Sequence, residues 1–153
     1  MIMNQETASI IRFILDAVGD ARPYYRPAPE GYGLPSVYFP APEVLGAGCT
    51  LSSYELAYVW KIEFSGADVQ AAYEMAVSAL EEIQRRRGRI PLLDIEGNGS
   101  GDCLSVNDPE IVRLENSARL VVSWSSYHNY ADEAEELAAK FSYKFSATSY
   151  KNF

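Results

Sequence analysis

Asp94, Glu96, Asn98, Ser100 and Asp102 place an oxygen-bearing side chain at every second position of one short stretch, and Gly99 stands among them. That spacing matches positions 1, 3, 5, 7 and 9 of an EF-hand calcium loop, with its glycine at position 6. A hard cation needs several oxygens, and the glycine allows the sharp turn. Position 12 of that pattern is Ser105, where a bidentate Glu is expected, and the preceding RIPLLD reads as a strand instead of a helix. The sequence thus marks Asp94, Glu96, Asn98 and Asp102 as weak metal candidates and expects no resident metal or cofactor. The competing reading is an acidic, glycine-rich loop.

Other groups with chemical potential are few. His128 is the only histidine, with neither a GxSxG elbow nor a CxxC motif to work with, so a hydrogen-bonded structural role is expected. The two cysteines, Cys49 and Cys103, are expected as ordinary thiols. Arg85, Arg86, Arg87 and Arg89 cluster at a predicted helix C-terminus, where cations complement the helix dipole. They are also candidates for contact with an acidic neighbouring subunit or with a nucleic-acid backbone. Tyr24, Tyr25 and Tyr32 lie in a Pro/Gly-rich stretch and are the aromatic interface candidates. No enzyme chemistry is indicated.

The elements that must carry these residues follow from periodicity. Ile10, Ile11, Ile14, Leu15 and Val18 form one face of a helix over about 5–18, capped by Asn4 or Thr7 and ended by Gly19. Residues 22–50 are rich in Pro and Gly and read as a long loop, broken by a short strand at Val37–Phe39 near a sheet edge. Residues 54–64 alternate strictly, with Tyr54, Leu56, Tyr58, Trp60, Ile62 and Phe64 on one side. A helix follows from a Ser65/Asp68 capping box to about Arg87, with Glu81–Arg85 and Glu82–Arg86 as favourable pairs. Then come a short strand over 89–94, a glycine-rich loop over 95–102, a possible strand over 103–106 and a turn at 107–109. An antiparallel pair over 111–114 and 118–126 follows. Residues 131–140 read as an acidic helix, and FSYKFSATSYKNF (141–153) as an aromatic tail, open between a docked strand and a free end.

This order predicts an α+β fold: a mostly antiparallel sheet with helices packed on one face, a long Pro/Gly-rich loop and a C-terminal arm. The predicted division is one domain over 1–130 and a separate segment over 131–153. The 153 residues suffice for a real core. A net charge of −8 argues against wrapping duplex nucleic acid or an anionic membrane. No apolar run spans a bilayer and no signal peptide is expected.

The layout of a helix, PSVYFP, SYELAYVWKIEFSG, a helix ending QRRRGRIPLLD, and NDPEIVRLENSARLVVSW resembles a tail terminator (tail-completion) protein of a long-tailed bacteriophage, over about residues 1–127. Related neck and head–tail joining proteins share this layout. The resemblance implies a non-enzymatic virion subunit of the tail or neck, assembled in the host cytoplasm. Its copies form a ring, usually of six, that caps the completed tail tube and faces the head connector. The implied partners are further copies of the chain, the tail tube protein and connector or neck proteins, with no membrane and no sequence-specific nucleic acid. DNA passes through the lumen, and an acidic wall would repel it. The 22–46 and 131–153 segments depart from the layout, and either can serve as an arm to a neighbouring subunit. The alternatives are another neck or head–tail joining protein, or a calcium- or small-ligand-binding domain using the 94–102 loop.

Overall fold

Asn4 fixes where the first helix, α1 (Gln5–Val18), begins. Its side chain accepts the Thr7 N–H at 2.8 Å, and the Thr7 hydroxyl accepts the Asn4 N–H at 2.9 Å, a reciprocal capping box. Asn4→Ala is expected to cost about 1 kcal/mol of stability, read as a lower urea midpoint with an unchanged slope. Gly19, at φ 77°, ends the helix by donating its N–H to Leu15 O.

The computed structural model describes residues 4–27 and 33–130. The remaining strands are β1 (Arg22–Tyr24), β2 (Ser36–Tyr38), β3 (Glu43–Cys49), β4 (Ser53–Ser65), β5 (Arg89–Leu93), β6 (Gly99–Ser105), β7 (Asn107–Arg113) and β8 (Ala118–Asn129), and the second helix is α2 (Val69–Arg85). One sheet has the order β1-β2-β4-β8-β7, with β3 joining β4, and β5 and β6 form a separate antiparallel pair. β2 and β7 pair antiparallel with β4 and β8, and β1 pairs parallel with β2. The fold is α+β, as the alternation and helix periods indicate.

Four boundaries differ from the sequence reading. β2 is interior, and the edge position falls to β1, whose Pro23 lacks the N–H an inner strand would need. Asp68, not Ser65, caps α2 by accepting the Ala71 N–H at 2.7 Å. Residues 107–109 belong to β7, where a register shift between Asn107 and Glu110 absorbs Asp108 at φ 44°. Within the expected 22–50 loop, β3 is a seven-residue strand.

The chain divides into two compact units. The first holds described residues 4–27, 33–43 and 58–124, and the second holds 44–57 and 125–130. In the first unit, Trp60, Ile62 and Phe64 of β4 and Leu120, Val122 and Trp124 of β8 are buried on one sheet face. The period-two alternation of both strands puts them there. Ile10, Ile14, Ala72, Ala76, Ala79 and Ile83 supply the helical side of the core. The small alanine side chains of α2 let α1 and α2 pack closely against one another, and α1 packs on β5 and α2 on β7. Trp60 sits at the centre, its ring centroid 5.7 Å from Phe39 and 5.9 Å from Trp124. On the opposite face Lys61 is exposed, and Val59, Glu63 and Val121 are half-buried.

Candidate assembly surface

Thr50 builds the turn that joins β3 to β4. Its N–H donates to Ser53 O at 2.7 Å, and its hydroxyl accepts the N–H of Ser52 and of Ser53 at 3.3 and 3.0 Å. Beside the turn, the Tyr130 N–H donates to Ser52 O at 3.0 Å and ties the end of β8 to the hairpin. Tyr54 stacks on His128 at 5.0 Å and lies 5.2 Å from Tyr130. His128 Nε2 is 2.7 Å from the Ser126 hydroxyl. The single histidine is therefore held between a ring and a hydroxyl.

The β3 strand of this unit is bare. Every residue of β3 is exposed, so neither of its faces is covered. Val44 is 48% exposed, Leu45 66%, Leu51 80% and Tyr127 73%, large apolar side chains concentrated in one small unit. Among the described residues β3 pairs with β4 alone, leaving its outer row of N–H and C=O groups open. A glycine-containing strand with two wet faces and a free edge contributes little to folding stability and is a template for pairing with another chain. Exposed apolar side chains around such an edge mark a contact surface.

The residues singled out from sequence are placed elsewhere. Arg85 and Arg86 both pair with Glu82, at 2.9 and 3.3 Å, so Arg85 bonds the residue three back in place of the expected Glu81 four back. Arg87, at φ 57°, borders an open polar cleft of about 700 Å³ with Gln84, Asn107, Asp108 and Ser123. Arg89 is exposed at the start of β5. Tyr24 accepts the Gly33 N–H at 3.0 Å, and Tyr25 stacks on Phe39 at 6.1 Å. These two tyrosines hold the β1 end of the core, remote in sequence from the arginines. Tyr32 and the 131–153 segment lie outside the described residues. Cys49 and Cys103 are both free and exposed.

The 94–102 stretch folds as the turn and first residues of the β5–β6 hairpin. Asp94 Oδ1 accepts the N–H of Glu96 and of Asn98, each at 2.9 Å, and is occupied in closing the turn. From Gly99 the backbone is extended in β6, so Ser100 and Asp102 run away from Asp94 at ~3.3 Å per residue. Helix α1 pins this hairpin: Ser9 Oγ accepts the Leu93 N–H at 2.9 Å, Gln5 donates to Leu93 O at 2.7 Å and Arg12 to Gly97 O at 2.6 Å. Among the described residues no group of three or more His, Cys, Asp or Glu side chains could hold a metal ion. Asp94→Ala is expected to lower stability by about 1 kcal/mol through its turn hydrogen bonds. Urea titrations with and without calcium should give the same loss.

The long exposed hairpin was missed from sequence because Gly46, Gly48 and the flanking prolines read as loop. The available signal was Val44-Leu45 placed one turn, Thr50–Ser53, ahead of the strongest strand, which is hairpin spacing.

No family model matches the chain. It is 30% identical over 129 residues to the phage-like element PBSX protein XkdJ of Bacillus subtilis (strain 168), an alignment covering 84% of this chain and 88% of XkdJ. The chain belongs to the XkdJ family. The uncharacterized protein YqbJ of the same bacterium is 28% identical over 142 residues, covering 93% of this chain and 97% of YqbJ. Nearly full coverage in both cases means that the XkdJ-family similarity takes in the core and the β3–β4 hairpin together. The chain is thus phage-related. Among the described residues no helix is long and apolar enough to cross a membrane.

Proposed function

We propose that this XkdJ-family protein is a structural, non-enzymatic virion protein: a tail terminator whose copies close into a six-membered ring on the end of the tail tube and join it to the head connector. The observation that carries the reading is β3, a strand exposed along its whole length with apolar neighbours and an edge that is unshared among the described residues. A free edge of this kind is a liability in a lone subunit and an asset in a ring, where head-to-tail contacts cover it in every copy. The relative named for a phage-like element supplies the setting. The layout resemblance supports the terminator among the small subunits of that setting. A net charge of −8 suits a channel that must pass DNA without binding it.

The test adds purified protein to polymerising tail tube protein of the same phage element. Shorter tubes with a ring of added density at one end are the expected result. Leu45→Lys, which places a charge in the exposed apolar group, should abolish the effect while leaving the folded subunit intact. Tube lengths unchanged by the wild-type protein overturn the terminator role. Binding to the connector without any effect on tube growth would instead identify a neck or head–tail joining protein.

A further inference from the structure

The geometry of the β3 edge points to its occupant: we infer that residues 141–153 of a neighbouring copy add to β3 as a further strand. The inference rests on the ring reading above and names the contact that closes it.

The bare strand and the 141–153 sequence match in several ways. Gly46 and Gly48 leave gaps on β3, and an added Cβ at Gly46 would meet nothing within 4 Å. Edge glycines of this kind are stabilised when an adjacent strand lays aromatic rings across them. Phe141, Tyr143 and Phe145 alternate with Ser142, Lys144 and Ser146, so an added strand would offer three rings on one face and polar groups on the other. Pro, which would interrupt a new ladder, does not occur in 141–153. The only charges in 141–153 are Lys144 and Lys151, and the only charge in 44–57 is Glu55, so the signs are complementary.

The position from which the segment departs also fits. It follows Tyr130, which bonds to Ser52 beside the β3–β4 turn. Residues 131–153 reach about 75 Å when extended, enough to leave one subunit and run along the next. Within a copy β4 lies between β8 and β3, because it pairs with both, so the chain leaves on the side of β4 away from the β3 edge. All seven residues of β3 are exposed. Donation from copy to copy, repeated head-to-tail around a closed ring, would satisfy every edge.

Cross-linking of the full chain tests this. Cys103→Ser leaves Cys49 as the one native thiol, at the end of β3, and Ser142→Cys or Ser146→Cys supplies a second on the donated segment. A short bis-maleimide is applied to a mixture of tagged and untagged copies, and the same sample is weighed by light scattering. The expected result is a shift from single-chain bands to linked bands of two and more chains that contain both tagged and untagged copies. Cys103→Ser alone should remain single-chain. An oligomer whose chains carry only internal links overturns the exchange between copies, and an oligomer with no links overturns the contact, while in both cases the ring reading stands. Laddering of the Cys103→Ser control would show two β3 strands meeting directly, which also overturns the proposal. A sample that is monomeric at every concentration and gives no links between chains contradicts the ring reading as well.

Discussion

Trp60→Ala is expected to destabilise the subunit by about 3–5 kcal/mol, a large share of the ~5–15 kcal/mol that holds a domain of this kind together. The ring is fully buried between Phe39 and Trp124, and its Nε1 donates to Pro40 O at 2.5 Å. Truncation therefore removes the largest apolar contact of the core and strands a carbonyl. A comparison of two milder variants separates these causes. Trp124 is equally buried, but its Nε1 has no hydrogen-bond partner among the described residues. Trp124→Phe removes a donor whose burial already costs about 1–3 kcal/mol, whereas Trp60→Phe breaks a bond that is made. Urea denaturation should rank the losses as Trp60→Ala, then Trp60→Phe, then Trp124→Phe. A greater loss for Trp124→Phe than for Trp60→Phe would contradict the assigned roles.

Gly88→Ala is expected to cost about 3 kcal/mol, the sum of a left-handed backbone that an L-residue adopts at ~1–2 kcal/mol and a steric term of similar size. Gly88 lies at φ 75° where α2 turns into β5, and an added Cβ would stand 2.6 Å from Val106 O. That neighbour is backbone and cannot swing aside, because the Val106 N–H donates to Gly88 O at 2.7 Å and locks the two segments together. Gly46→Ala is the matched control. It lies in β3 with nothing near the new methyl, so it should be neutral or stabilising by a few tenths of a kcal/mol through the unfolded chain. Thermal or urea unfolding of the two variants side by side checks both expectations.

The parts of this fold that were legible are those where one period dominates. β4 and β8 alternate strictly because one face is buried, and both helices show their apolar stripe and their stops at Gly19 and Gly88. Elements set by pairing were hidden. β3 has no buried face to impose an alternation, so its glycines read as loop, and the β5–β6 hairpin was masked by the oxygen-rich pattern of its own turn. Asp94 carries the right atom for a cation, yet spends it on two backbone amides, a local bond that spacing alone does not distinguish from a ligand role. Similarly, the arginine cluster was visible, but its use as a Glu82-paired helix end depends on side-chain geometry. The interface candidates read from composition were aromatic or basic. The exposed apolar group is aliphatic apart from Tyr127, and only its exposure distinguishes it from core.

The central claim is that the protein works as a closed ring. The most direct measurement is the mass of the purified full chain by light scattering over a range of concentrations, with negative-stain images of the same sample alone and mixed with tail tubes. The account predicts a particle near six times 17.0 kDa with a central hole, either free or seated on a tube end. A monomer at every concentration that also leaves tube ends bare would contradict it.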